Sequence, residues 1–119
     1  MQKTILLADD DPAVRRMLCR VLAEENYCVI PVHDADDALR KLKNVPVDLV
    51  VLDLTAPTKG SDSLFRQLKA QRPSLPIILI SSQPSENPLD TIGIRIEKPL
   101  DVSNLLRTIG KLLQEKIEA

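Results

Sequence analysis

The stretch Val45-Pro46-Val47-Asp48-Leu49-Val50-Val51-Leu52-Asp53-Leu54-Thr55-Ala56-Pro57 decides the fold. Leu49 to Leu52 run without a polar break, with Val47 just ahead of Asp48. A strand on a half-wet sheet alternates apolar and polar residues, whereas an unbroken run is a strand covered on both faces. Asp53 stands where that run stops, and Pro57 turns the chain out of regular structure soon after. Desolvating an unpaired carboxylate is costly, so an acid at the end of a covered strand needs a reason. Alone, Asp53 reads as a turn or helix-capping residue; its surroundings decide otherwise.

Working outward, Thr4 to Ala8 is a second apolar strand, stopped by Asp9-Asp10-Asp11-Pro12. Asp11 followed by Pro12 is the pattern of a helix N-cap with proline in the first turn. Val14, Met17, Leu18, Val21 and Leu22 then recur at helical spacing, while Arg15, Arg16, Arg20 and Glu24 read as the solvated side. After Asn26, Tyr27 to Val32 is a strand that Pro31 assigns to a sheet edge. Asp34 caps a helix carrying Ala38, Leu39 and Leu42, with Asp36 and Asp37 where the helix dipole favours acids. Beyond Asp53, Thr58 to Gly60 is a loop, and Ser61 opens a helix with Leu64, Phe65 and Leu68 inward.

Pro76 to Ile80 is again wholly apolar and ends at Ser81-Ser82. Pro84 and Pro88 argue for a loop or a single helical turn between Gln83 and Asp90. Ile92 to Glu97 is a last strand, followed by Lys98-Pro99. Asp101 caps a helix whose apolar stripe is Leu105, Leu106, Ile109, Leu112, Leu113 and Ile117. Strand and helix thus alternate throughout, which predicts a doubly wound α/β fold with helices on both faces of a parallel sheet.

The 119 residues suit one domain, read here as spanning 1–119. A net charge of −1 gives no electrostatic reason to expect nucleic acid or a membrane surface as the direct partner. No apolar run approaches the roughly 20 residues that span a bilayer. Together with the lack of a leader-like start, this gives a cytoplasmic expectation. Cys19 and Cys28 lie on different elements without metal-ligand spacing and read as free core thiols. With a single histidine, zinc chemistry is not expected.

In a doubly wound sheet, ligands bind at the carboxyl ends of the strands. There the sequence delivers Asp9 and Asp10, Asp53, Ser81 and Lys98. Three carboxylates and one ammonium leave an uncompensated negative charge that a divalent cation would neutralise. Oxygen-only ligands, few of them from protein, suit Mg²⁺, which keeps several waters. A cation held by acids beside a further carboxylate is equipped to receive a phosphoryl group. Ser81 would donate to the arriving oxygens and Lys98 would supply a point charge, while Ser82 is small enough to leave in-line access open.

At Ile5 to Pro12, Pro46 to Leu54, Pro57, Pro76 to Ser82 and Lys98-Pro99 the chain resembles the receiver domain of bacterial response regulators, in the family's order and through nearly its whole length. The resemblance implies a flavodoxin-like five-stranded parallel sheet of order 2-1-3-4-5. It implies that Asp53 accepts phosphate from a histidine kinase or histidine phosphotransfer protein with Mg²⁺. Asp9, Asp10 and Asp53, with the Thr55 carbonyl, would form the metal site; Ser81 would be the switch hydroxyl and Lys98 the phosphoryl contact. The protein would then be a phosphoacceptor switch of a two-component or phosphorelay system, not an enzyme in the ordinary sense.

Four positions depart from the family pattern. Arg95 stands where an aromatic switch residue is usual. The span from Ser81 to Lys98 is short and proline-containing, which implies a shortened or irregular fourth helix. Gly60 comes one residue early, and Ala56 replaces a bulkier residue before Pro57. The first two touch signal output and leave the phosphorylation residues intact. The competing reading is a pseudo-receiver, an interaction module not regulated by phosphorylation. An aspartyl-phosphate phosphatase is rejected because Thr55 stands where its second acid belongs. A flavodoxin is rejected because acids, not a phosphate loop, follow the first strand.

Overall fold

Strand alternation divides the hydrophobic residues between two cores, one on each face of the sheet. The structure, a computed structural model, describes residues 2–53, 66–81 and 94–118; of Ser81 and residues 114–118 the backbone alone is described. The strands are β1 (Thr4–Asp9), β2 (Cys28–Val32), β3 (Leu49–Asp53), β4 (Ile77–Ser81) and β5 (Ile94–Glu97). They form one parallel sheet of order β2-β1-β3-β4-β5, the order expected. The helices are α1 (Pro12–Glu24), α2 (Ala35–Asn44), the helical residues 66–71 (α3) and α4 (Val102–Glu118). The loop or single helical turn expected over Gln83 to Asp90, and the start of the helix at Ser61, fall outside the described residues.

Leu6, Ala8, Val50, Leu52, Ile77 and Leu79 pack with Ala38 and Leu42 of α2 and Leu68 of α3. Their odd-numbered or even-numbered neighbours Ile5, Leu7, Leu49, Val51, Ile78 and Ile80 pack on the other face with Leu18 and Leu22 of α1 and Leu105, Ile109 and Leu113 of α4. Successive strand residues point to opposite faces, so a sheet with two cores requires the unbroken apolar runs seen in the sequence. β2 is an edge, and Pro31 lies in it without breaking a central ladder.

Local chemistry sets where the helices begin. The Asp11 carboxylate accepts from the amides of Ala13 and Val14, and Asp34 accepts from the Asp37 amide at 2.8 Å. Asp101 accepts from the Asn104 amide at 3.2 Å. Each satisfies an N–H that the first helical turn leaves without a partner. Asp48, just before β3, accepts from the Thr4 amide at 2.8 Å while its own amide donates to the Thr4 carbonyl, so it fixes the start of the β1–β3 pair. After α1, Asn26 takes a φ of 69°, a left-handed conformation that asparagine tolerates better than most residues.

Two expectations about burial are corrected. The helical spacing predicts Met17 on the inward side of α1, but it is 41% exposed. Leu18 and Leu22 already fill the centre of that stripe. Cys28, read as a core thiol, is exposed at the start of the edge strand; Cys19 is half-buried, and both are free.

Gly110 lies inside α4, and a Cβ built there meets nothing within 4 Å. Gly110→Ala is therefore expected to stabilise the protein by about 0.8–1 kcal/mol, through the lower helix propensity of glycine. A higher urea midpoint with an unchanged slope is the expected observation.

Candidate functional site

The carboxyl ends of β1 and β3 place two acids side by side. Asp9 and Asp53 are register partners on adjacent parallel strands. Asp9 continues the Ile5, Leu7 alternation and Asp53 the Leu49, Val51 alternation, so both belong to the face covered by α1 and α4. Asp9 is 1% exposed and Asp53 4% exposed. Strands lie about 4.8 Å apart. Two ionised carboxylates at about 5 Å repel by about 3 kcal/mol at an effective dielectric near 20.

The two acids are compensated unequally. Lys98, immediately after β5, brings Nζ to 2.8 Å from Asp53 Oδ1. The contact is an ion pair without hydrogen-bond alignment, so among the described residues Asp53 Oδ1 has no hydrogen-bond donor. Among the described residues Asp9 has no such cation. Its Oδ1 accepts from the Asp11 amide at 2.8 Å, and its Oδ2 is buried with no hydrogen-bond partner among the described residues. Burial pushes the Asp9 carboxyl up to about 6; the Asp11 amide opposes this, and the charges of Asp53, Asp10 and Asp11 add to it.

Asp10 is half-exposed in the bend after β1. Among the described residues no three His, Cys, Asp or Glu side chains converge on a single point. The structure therefore brings together Asp9, Asp53 and Lys98, with Asp10 adjacent in the chain. Ser81 closes β4 in register with Glu97, so its backbone lies at the same sheet edge. Thr55 falls outside the described residues. Arg95 is half-buried in β5 in register with Leu79, and its Nε is buried without an acceptor among the described residues.

One residue of this edge was misread from sequence. The sequence pattern puts Arg15 on the solvated side of α1, but it is half-buried and its Nη1 donates to the Asp9 carbonyl at 2.8 Å. The available signal was its spacing: Arg15, Leu18 and Leu22 fall at i, i+3 and i+7, which extends the buried stripe towards the end of β1. Arg16 and Arg20 are exposed as expected.

Removing the counterion of a buried charge is destabilising, less so when that counterion is itself partly solvated. Lys98 is 30% exposed, so Lys98→Ala is expected to lower metal-free stability by about 2 kcal/mol. Denaturant unfolding in EDTA checks this, and a loss under about 0.5 kcal/mol would mean that the pair is a surface contact in effect.

Fold and site together define a doubly wound α/β protein with a buried acidic pair, one member held by a lysine, at the carboxyl edge of its sheet. Residues 5–109 match the family model of the response regulator receiver domain, and the chain belongs to that family. It is 29% identical over 115 residues to the response regulator RR06 of Streptococcus pneumoniae serotype 2 (strain D39 / NCTC 7466), covering 92% of this chain and 52% of that protein. It is 32% identical over 123 residues to the DNA-binding transcriptional regulator NtrC of Bradyrhizobium sp. (strain RP501 Parasponia), covering 97% of this chain and 25% of that protein. The chain thus spans about half the length of the first relative and a quarter of the second. Among solved structures, a CheY-like receiver domain protein of Methanospirillum hungatei JF-1 superposes with a TM-score of 0.88 at 26% identity over the whole of both chains. A complex of histidine kinase ThkA with response regulator protein TrrA, of Thermotoga maritima, gives 0.83 at 25% identity, covering 94% of this chain and 99% of that one.

Proposed function

We propose that this chain is a phosphorylation-dependent switch that accepts a phosphoryl group on Asp53 with Mg²⁺. The observation that carries the reading is the buried Asp9–Asp53 pair, in which Asp9 Oδ2 has no donor among the described residues. A buried carboxylate oxygen without a partner is costly unless a cation completes it. The donor set fits Mg²⁺: carboxylate oxygens are hard ligands, and an ion that retains waters does not require a full cage of acids. Asp9, Asp10 and Asp53 would hold the ion, with the Thr55 carbonyl as a further ligand. When bound, Mg²⁺ supplies positive charge that offsets the repulsion between carboxylate and phosphate.

The chain's own residues supply the rest. An Asp53 oxygen forms the new O–P bond as the P–N bond of a phosphohistidine breaks, and the departing imidazole keeps the bonding pair and takes a proton. Lys98, already 2.8 Å from Asp53, offers a cation to the phosphoryl oxygens without moving to a new neighbourhood. Ser81 has the role of the hydroxyl that answers the arriving group. The ThkA–TrrA complex is a likeness that supports a histidine kinase, or a histidine phosphotransfer protein, as the donor. Membership of the receiver family supports a cytoplasmic site of action; among the described residues no helix is long and apolar enough to cross a membrane. NtrC is DNA-binding by name, yet these 119 residues match only a quarter of it, so direct nucleic-acid contact is not part of this reading.

The test is intact-mass analysis after incubation with acetyl phosphate. Wild type with Mg²⁺ is expected to gain one phosphoryl group, and EDTA is expected to prevent it. No gain under either condition would favour a pseudo-receiver, an interaction module that keeps the acidic edge without using it.

A further inference from the structure

We propose that Arg15 is a positioning residue for the Asp9 carboxylate, so that its bond to the Asp9 carbonyl sets the Mg²⁺ affinity of the acidic edge. The inference deepens the proposed function and rests on that reading. Asp9 is the last residue of β1 and lies one position past the final β1–β2 pair, Ala8 with Val32. On the β3 side Asp9 is held in register with Asp53, but on the β2 side no ladder pair holds it. Here its carbonyl is taken by the Arg15 guanidinium at 2.8 Å, and its Oδ1 by the Asp11 amide at 2.8 Å. The main chain and one carboxylate oxygen are therefore fixed, which leaves Oδ2 buried and without a partner among the described residues.

The choice of acceptor matters. A guanidinium placed on the carboxylate itself would neutralise it and compete with a metal. Placed on the carbonyl, it holds Asp9 in position and leaves Oδ2 available. Partners that orient a ligand from outside commonly change metal affinity by 10-fold or more when removed. Arg15 also belongs to α1, whose N-cap is Asp11, so one helical turn carries both anchors of Asp9.

The test uses the full chain and reads the Mg²⁺ half-saturation from the metal-dependent rise in melting temperature. Amide shifts of Asp9 to Asp11 during a Mg²⁺ titration give a second reading. Arg15→Met is expected to raise the half-saturation about tenfold. Arg15→Lys, which keeps the charge and a donor, is expected to recover most of that loss. Arg16→Met removes an equal charge from an exposed neighbour and is expected to stay within about twofold of wild type, since exposed charges are screened. A simple helix–strand tether would instead lower the melting temperature in EDTA with the half-saturation unchanged, and that result would overturn the proposal. Tighter Mg²⁺ binding by Arg15→Met would overturn it as well, because removal of a repelling cation would then dominate. A wild type with no response to Mg²⁺ would overturn the metal-site reading and this inference with it, whereas a responding wild type matched by Arg15→Met would overturn the inference alone.

Discussion

The Asp53→Asn variant is expected to take up no phosphoryl group from acetyl phosphate and Mg²⁺ under conditions that modify wild type. The amide is close to the carboxylate in size, so the packing at the end of β3 should persist. Its oxygen, however, carries no formal charge and is a poor nucleophile towards phosphorus. The substitution also removes one of the charges that raise the Asp9 carboxyl, and it leaves Lys98 facing a neutral acceptor. Loss of uptake with an unchanged fold separates chemistry from structure. A variant that still gains a phosphoryl group would show that another side chain is the acceptor.

The second large effect belongs to Asp9. Its carboxyl ionises at about 6 in the fold, against 3.8 without it. Between those values the native state holds a proton that the unfolded chain releases, so metal-free stability falls as pH rises through this window. For this group the stability is fully present below the unfolded value and is lost once pH exceeds about 6. A shift of that size is on the order of 2–3 kcal/mol at neutral pH. Asp9→Asn removes the titration. In EDTA at pH 7 it is expected to be more stable than wild type by about 2 kcal/mol, with the difference shrinking below pH 5. Mg²⁺ is expected to raise the melting temperature of wild type, by mass action on the native state, and to leave Asp9→Asn nearly unmoved. Because a proton and the metal compete for Asp9, apparent Mg²⁺ affinity should drop about tenfold per pH unit below that midpoint. Wild type that is no less stable than Asp9→Asn at pH 7 in EDTA would contradict this electrostatic account.

Much of the architecture was legible because two physical signals agree. The runs Ile5 to Ala8, Leu49 to Leu52 and Ile77 to Ile80 have no polar face, and each is buried on both sides of the sheet. The aspartates at 11, 34 and 101 mark helix starts through the same amide-capping chemistry. The sheet edge carrying Asp9, Asp53 and Lys98 could be anticipated from where the strands stop. Their individual environments could not. Which acid receives Lys98 depends on strand register and on the chain path after β5, neither of which spacing within one segment records. Arg15 was misassigned because charge outweighed periodicity in its reading, although a long side chain can bury its stem and still bring its head to a carbonyl. Cys28 was misassigned for the opposite reason: an apolar-type residue in a strand is exposed when it opens an edge strand.

The most direct measurement traps the product where it forms. After incubation with Mg²⁺ and acetyl phosphate, borohydride reduces an acyl phosphate to the corresponding alcohol, which would leave homoserine in place of the modified aspartate. Peptide sequencing by mass spectrometry is predicted to find homoserine at position 53 in wild type, and none when EDTA replaces Mg²⁺. Conversion at Asp9 or Asp10, or no conversion anywhere, would contradict the assignment of Asp53 as the phosphoacceptor.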